Sequence, residues 1–273
     1  MTTICSSTTA TPFSGEVALG YWQTLWKALA AEGINDTEDR VRLNIERSPT
    51  VAQYLAALKR GISATDDFGI RVGSLVSLQT FPVLGMTLLS CSTLKQAMQQ
   101  ILRYEGLNHD LGSSDLRVGT HTTQYAWTPN PVYLPIKADA LSFHLSLSVF
   151  AGIKTFAPML IQSTVPFSKL SFVMPEPKHA QRYRDFFEAD IQFGQSVNAI
   201  TVDNDILEWK VKSGDPSMLE TLTSHADELL LPNESQHEYI WKVRSTLPDA
   251  FRQQAFGIED LAHRLNVSSR TLQ

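Results

Sequence analysis

The sequence predicts an α+β domain, with helices packed on a small mixed or antiparallel sheet, followed by the beginning of an all-α helix-turn-helix domain. Segments of helical and of strand periodicity mix without the regular βαβ alternation of a parallel sheet. The 273 residues are 43% hydrophobic and 19% charged, which is enough for a packed core in one large or two moderate domains. Two short helical segments meet at a tight turn in the last sixteen residues.

The first half of the chain is predicted to be mainly helical. Gly33 and Pro49 mark the ends of helices, and the acidic residues behind Thr37 mark the start of another. Residues 68–93 are punctuated by Gly and Pro, which predicts short elements joined by turns. Ser92 is predicted to cap the amphipathic helix that follows it. The helices predicted in this half cover residues 16–33, 37–48, 51–60 and 92–104.

The second half is predicted to mix strands with helices. Residues 116–127 are rich in β-formers and predict a strand or a hairpin. Residues 137–157 leave two interpretations open, because their apolar residues alternate as in a strand while their length suits a helix of about five turns. The remaining predictions are strands over 169–174 and 198–202, and helices over 178–188, from 206 onward and over 217–231.

Three regions are predicted along the chain. Residues 1–15 are rich in Thr and Ser and form a flexible N-terminus. Residues 16–231 form the α+β domain. Residues 232–273 combine a short polar linker with an incomplete first helix-turn-helix. This last region holds five basic and five acidic residues, so the net charge of −5 lies elsewhere and composition alone does not support nucleic acid binding.

Motif searches give no support to catalytic or cofactor chemistry. Cys5 and Cys91 form neither a disulfide framework nor a CxxC pair, and the seven His residues show no metal-ligand spacing. No GxSxG, GxGxxG or P-loop pattern occurs. The sequence therefore predicts no enzyme, no catalytic residue, no cofactor and no metal site. The sequence shows neither a secretory signal nor an apolar run long enough to cross a membrane. We therefore predict a cytoplasmic location.

The last sixteen residues have the layout of a helix-turn-helix. Apolar residues at positions 258, 261, 262 and 265 follow the spacing of one helix face. Asn266 suits a tight turn, and Ser268 is a good N-cap for a second helix. The small Ala262 allows two helices to approach closely where they cross. On spacing alone, an ordinary αα-hairpin fits these residues equally well.

Three stretches resemble one family of bacterial transcription regulators. The run IEDLAHRLNVSSRTLQ at residues 258–273 is similar to the first helix-turn-helix of the AraC/XylS family. VLGMTLLSCSTLKQAMQQILRY at 83–104 and FFEADIQFGQSVNAITVDNDIL at 186–207 resemble the "arabinose-binding" type of N-terminal sensor domain in that family. The resemblance implies a ligand-responsive transcription regulator. Its partners would be double-stranded DNA, a small-molecule effector, a second copy of the chain and RNA polymerase.

The resemblance also implies where DNA would be contacted. Ser269, Arg270, Thr271 and Gln273 fall at the start of the recognition helix, where side chains reach phosphates and base edges. The family has two helix-turn-helix units, whereas this sequence stops one turn into the first recognition helix. We therefore expect that the native gene is longer and that this chain is truncated.

The effector site is predicted to lie among aromatic and polar residues of the sensor domain. Arg103 and Tyr104 match the R-Y of the family pattern, and Lys137 and His144 are candidates for orienting an acidic effector. Phe143 and Trp127 are candidates for the apolar wall, as are other aromatic residues of this domain. The alternative is that these aromatic residues simply form the core. The further candidates for the wall are Phe68, Phe81, Met86, Phe150 and Phe156.

One alternative function remains open. The chain can instead be a free-standing small-molecule binding or dimerisation module that ends in a helical hairpin. In either case the apolar helix predicted over 217–231 is a candidate dimer interface, through Met218, Leu219, Leu222, Leu229 and Leu230.

Overall fold

The computed structural model describes residues 15–34, 48–134 and 139–230, and beyond these only Glu259 and Ala262. Within these ranges a layer of helices packs on a five-stranded mixed sheet, which confirms the α+β class. The predicted helix-turn-helix falls almost entirely outside the described residues, as does the helix predicted over 37–48. The larger of two compact units contains Phe13–Ala226, and the fold below is that of this unit.

The described chain has helices in most segments where they were predicted, and two more in residues 68–93, where the sequence predicted only short elements joined by turns. A single 3₁₀ turn, Glu105–Leu107, links the fifth helix to the first strand. The helices are α1 (Leu19–Ala31), α2 (Val51–Ala64), α3 (Phe68–Ser74), α4 (Pro82–Ser90), α5 (Leu94–Tyr104), α6 (Ala140–Ile161), α7 (Ala180–Phe187), α8 (Asn204–Leu207) and α9 (Pro216–Leu230).

The sheet combines antiparallel pairs with one parallel pair. Its strands are β1 (Gly112–Val118), β2 (Thr122–Pro129), β3 (Lys169–Ser171), β4 (Asp190–Gln192) and β5 (Ala199–Asp203), in the spatial order β1-β2-β5-β3-β4. Only the β3–β4 pair is parallel. β1 and β2 form the hairpin that was one of two predictions for residues 116–127. β4 was not predicted.

Side-chain caps explain where several helices begin. Thr50 accepts a hydrogen bond from the Gln53 N–H while the Gln53 side chain accepts from the Thr50 N–H, which forms a capping box on α2. α5 begins one residue later than predicted, because Thr93 rather than Ser92 accepts from the N–H of Gln96. The Ser92 N–H instead donates to the Gln96 side chain at 2.7 Å.

The ambiguous segment forms the long central helix α6. Its alternating Leu and Phe residues imitate a strand, but the serines between them are buried as well. Ser146 donates to the carbonyl of Ser142 at 2.9 Å and Ser148 to that of Leu145 at 2.8 Å, so these hydroxyls need no water. α6 is long and apolar enough to cross a membrane, yet 67% of its apolar window is buried inside this fold. Its composition is that of a core helix.

α3 and α6 cross with their backbones in close contact. A Cβ on Gly69 would lie 2.4 Å from the carbonyl oxygen of His144, and one on Gly73 would lie 2.5 Å from that of Ser148. Real Cβ atoms do not approach so closely. The two glycines are therefore required by the crossing, and the crossing holds α6 against the rest of the helical layer.

Candidate ligand-binding site

A cavity of about 150 Å³ lies between the helical layer and the sheet. Apolar cavities of this volume bind molecules of the size of benzene in other proteins. Its wall comes from six helices and from the central strands β2 and β5. Most of the lining side chains are apolar, among them Leu84, Leu88, Ala97, Met98, Ile101, Trp127, Val149, Ile153, Phe156, Leu160, Phe167, Ile200, Val202 and Ile206.

Small residues on two facing helices leave this space open. α5 turns Ala97 toward the cavity, and α6 contributes Gly152 and Ala157. All three line the cavity, and none of them has a side chain longer than a methyl group. Large aromatic rings, including the almost fully buried Trp127, close the remaining wall. The cavity is thus a feature of residue size, which helical periodicity does not reveal.

Four of the lining residues form one polar cluster: Tyr21, Glu105, His109 and Tyr125. The rings of Tyr21 and His109 meet edge to face with centroids 4.9 Å apart. The backbone N–H of His109 donates to the carbonyl oxygen of Glu105 at 3.3 Å. Ser114 does not line the cavity but bonds to two members of the cluster. Its hydroxyl lies 2.5 Å from both Glu105 Oε2 and the Tyr125 hydroxyl.

Burial decides the charge state of this cluster. It raises the pKa of Glu105 to about 7, although hydrogen bonds from the Ser114 hydroxyl and N–H hold it lower than burial alone would. Burial lowers the pKa of His109 to about 4, so the imidazole is neutral at pH 7. The pKa values of Tyr21 and Tyr125 are raised, first by burial and second by the nearby Glu105 carboxylate. Near neutral pH the cluster therefore carries at most one negative charge.

His109 is the incompletely bonded member of the cluster. His109 is 7% exposed, and its Nδ1 atom has no hydrogen-bond partner in the part of the chain that the structure describes. A buried nitrogen without a partner costs free energy, and such atoms are rare in folded proteins. Thr24 and Thr80 are two other polar residues of the wall. Unlike His109 Nδ1, their hydroxyls have a partner, because they bond to each other at 2.9 Å.

The structure places the predicted effector residues in several different positions. Trp127 lines the cavity, as do Phe81 and Phe156 of the wider aromatic set. Arg103 and Tyr104 do not line it: the guanidinium lies over the Tyr104 ring at 5.2 Å, and the Tyr104 hydroxyl donates to the carbonyl of Thr223. Lys137 lies outside the described residues.

The adjacent pair on α6 also lies away from the cavity wall. Phe143 packs in an aromatic cluster with Phe172 and Tyr183, with ring centroids 5.1 and 5.4 Å away. His144 Nδ1 accepts a hydrogen bond from the Gly69 N–H at 3.1 Å, which ties α6 to α3. Burial lowers the pKa of His144 to about 4, so this acceptor is neutral at pH 7.

Sequence reasoning did not place any member of the polar cluster at the effector site. Glu105 follows directly after the predicted helix, where a charged residue is ordinarily solvated. His109 was considered only as a metal ligand. In the described part of the chain, no three His, Cys, Asp or Glu side chains are placed to share a metal ion. Burial raises the pKa of the Cys91 thiol to about 12, so this thiol stays protonated at neutral pH.

The raised pKa of Glu105 predicts how stability depends on pH. The folded chain keeps a proton on Glu105 up to about pH 7, whereas the unfolded chain releases it near pH 4.5. Stability contributed by this group therefore falls as pH rises through that window. We expect Glu105→Gln to gain about 3 kcal/mol of unfolding free energy relative to wild type between pH 4.5 and pH 8.

Urea unfolding of both proteins at several pH values measures this difference. His109 and His144, whose pKa values are lowered, act in the opposite direction between about pH 4 and 6.5. Both histidines are present in both proteins, so their contribution cancels in the comparison. A difference between the two proteins that does not change with pH would contradict the assigned burial of Glu105.

Comparison with known proteins identifies the class to which this fold and cavity belong. Residues 29–211 match the family model described as the arabinose-binding domain of AraC transcription regulators, N-terminal. This match covers more than half of the chain, and the chain belongs to that family. The predicted resemblance of the sensor domain is confirmed.

Two individual proteins are similar to this chain. The ornithine utilization regulator of Pseudomonas aeruginosa is 23% identical over 217 residues, which are 75% of this chain and 59% of the regulator. The chain thus spans about 59% of the length of that relative. The crystal structure of the transcriptional regulator CdpR from Pseudomonas aeruginosa matches with a TM-score of 0.59 and 17% identity, over 93% of this chain and 77% of CdpR. At that identity the likeness concerns the fold alone.

Proposed function

We propose that the chain is the sensor part of a ligand-responsive transcription regulator, in which a small effector binds inside the α+β domain and helix-turn-helix units bind DNA. The observation that carries this proposal is the cavity, which lies inside a domain of the arabinose-binding type. An apolar cavity with a few converging polar groups is the usual form of a small-molecule site. Action on DNA in a bacterial cell also implies the cytoplasmic location that we predicted.

The C-terminal sequence supports the DNA-binding half of the proposal. Glu259 and Ala262 are helical, and Ala262 is 3% exposed. Ser269, Arg270, Thr271 and Gln273 lie outside the described residues. We propose them as DNA contacts from the sequence motif alone.

Expression of the full-length protein tests the proposed function. We expect it to bind specific sites upstream of its target genes, and a small molecule to change transcription from them. Sequencing of the DNA that the protein binds in cells is the measurement. Absence of specific sites for the full-length protein would instead favour the free-standing binding module.

Arg270 is the strongest individual candidate for DNA contact. A guanidinium binds guanine or phosphate with two parallel hydrogen bonds. In the full-length protein, we expect Arg270→Ala to weaken operator binding by about 1–3 kcal/mol if the residue contacts a base. If it contacts only phosphate, the loss is the same on unrelated DNA and the salt dependence decreases. Titrations on operator and unrelated duplexes at two salt concentrations separate these cases, and an unchanged affinity on both would contradict the assignment.

We also propose that the protein dimerises through α9. Met218 and Leu229 are 46% and 50% exposed, and three helical turns separate them, so they share one face with the half-buried Leu222. Met218→Glu is expected to convert the dimer to a monomer, because it places a charge in the apolar contact. Light scattering at tens of micromolar measures this change, with Glu220→Lys on another face of α9 as the control. A strict monomer in the unsubstituted chain would contradict the proposal.

The name of one relative raises ornithine as an effector, but the described lining does not favour it. Ornithine carries a carboxylate and two amines, and each charge needs a partner once it leaves water. Glu105 is the only charged side chain in the described cavity wall. RNA polymerase remains a candidate partner on the strength of the family alone.

A further inference from the structure

The chemical class of the effector can be inferred from the charges around the cavity. No Lys or Arg occurs among the described residues of its wall, and the single carboxyl belongs to Glu105. A carboxylate or phosphate ligand would be buried without a cation and beside a group that is itself negative when ionised. An acidic effector, which the sequence led us to expect, therefore finds no favourable partner in this wall.

A cationic ligand is also disfavoured. An ammonium group needs several acceptors to replace its lost water. The Glu105 carboxyl already accepts hydrogen bonds from the N–H and the hydroxyl of Ser114, at 2.6 and 2.5 Å. The remaining wall is mainly apolar. A neutral ligand avoids the desolvation cost of both charged classes.

His109 supplies the polar contact that such a ligand needs. His109 lines the cavity, and its buried Nδ1 atom has no hydrogen-bond partner among the described residues. A neutral imidazole presents each ring nitrogen either as a donor or as an acceptor. A hydroxyl both donates and accepts, so it can bond to an imidazole nitrogen in either form. A ligand without a polar group offers the imidazole no such bond.

We infer that the cavity binds a neutral, compact and mostly apolar molecule carrying one hydroxyl group, and that this hydroxyl forms a hydrogen bond with the imidazole of His109 beside Glu105. The inference rests on the proposed role of the cavity as the effector site. Within the cluster His109 is the specificity-determining residue, and Glu105 excludes anions.

Four benzene derivatives of nearly equal size test this inference on the 273-residue chain. They are benzyl alcohol, toluene, benzoate and benzylamine, and calorimetric titration at pH 7.5 gives their dissociation constants. Benzyl alcohol is expected to bind about tenfold more tightly than toluene, which is the effect of one buried hydrogen bond. Benzoate and benzylamine are expected to bind more weakly than toluene. Tightest binding of benzoate or of benzylamine, or binding of none of the four, would overturn the inference.

Two variants assign the selectivity to the cluster. His109→Phe is expected to reduce the tenfold preference for benzyl alcohol over toluene to about one, because the hydrogen bond is lost. Glu105→Gln is expected to raise the affinity for benzoate by about tenfold, because it removes the like charge. Each result compares the affinities of two probes for the same protein, so a change in the stability of that protein does not produce it. If one of the two variants does not fold, the other still tests the role of the cluster. Ser146→Ala removes a buried hydroxyl outside the cavity wall and is expected to keep the wild-type order.

Failure of this inference and failure of the proposed function give different results. If the effector class is wrong, the affinities change order while the full-length protein still binds its DNA sites. If the proposed function is wrong, the full-length protein has no specific DNA sites, whichever probe the cavity prefers. An unchanged preference for benzyl alcohol in a folded His109→Phe variant would contradict the role of His109 alone.

Discussion

Substitution of Gly73 by alanine is expected to lower the free energy of unfolding by about 3 kcal/mol, because one added carbon overfills the crossing of α3 and α6. The new Cβ would lie 2.5 Å from the Ser148 carbonyl oxygen and 2.7 Å from the Gly152 nitrogen. Both atoms belong to the backbone of the central helix and cannot rotate away. In an exposed helix the same change stabilises by about 1 kcal/mol, so the sign of the effect tests the packing.

Gly152→Ala on the facing helix is the matched control. Its added carbon would lie 3.3 Å from the Cγ2 atom of Val76, and its other neighbours would lie at 3.8 Å or more. We expect a change within about 1 kcal/mol, because a side chain can adjust where a backbone cannot. Urea unfolding of the three proteins gives the comparison. Equal stability of Gly73→Ala and the wild type would show that the helices do not cross as described.

Replacement of Phe143 by alanine is expected to cost about 3–5 kcal/mol, the usual loss for a buried phenylalanine. Phe143 is 4% exposed, and its ring packs at 5.1 to 6.4 Å from the rings of Phe172, Tyr183 and Phe193. We predicted Phe143 from the sequence as an effector contact, whereas this packing favours a core role. The folded variant should therefore bind benzyl alcohol with the wild-type dissociation constant.

Phe186→Ala provides the comparison for this prediction. Phe186 is only partly buried, so its loss is expected to cost clearly less than that of Phe143. Thermal unfolding measures both stabilities, and calorimetry on the folded proteins measures the binding of benzyl alcohol. A Phe143→Ala protein that is stable but binds benzyl alcohol more weakly would contradict the core role and show that Phe143 contacts the effector.

Much of the helical layer could be predicted from the sequence because its signals are local. The helix Leu94–Tyr104 was placed within two residues, since it combines an N-cap with a regular apolar stripe. β4 was missed because its three residues, Asp190–Gln192, are too few to show an alternating pattern. The long helix Ala140–Ile161 remained ambiguous because its serines are buried and bonded to their own helix, which no periodicity indicates.

The candidate site was harder to predict than the fold. A cavity depends on where side chains are too small to fill the space, and this depends on the packing of distant segments. Trp127 was identified because large aromatic residues are frequent in such walls. Glu105 and His109 were not identified, because their burial follows from the turn between α5 and β1 rather than from the residues themselves. The DNA-contacting residues rest on a motif and stay a prediction.

The response of transcription to filling of the cavity tests the central claim most directly. Ala97→Leu in the full-length protein adds three carbons to a residue of the cavity wall, and Lys95→Leu changes an exposed residue of the same helix. Reporter expression from the regulated promoter is compared under growth conditions that switch it on and off. We expect Ala97→Leu to abolish the switching while DNA binding in vitro is retained, and Lys95→Leu to switch normally. Full switching by a folded Ala97→Leu protein would show that the effector binds elsewhere.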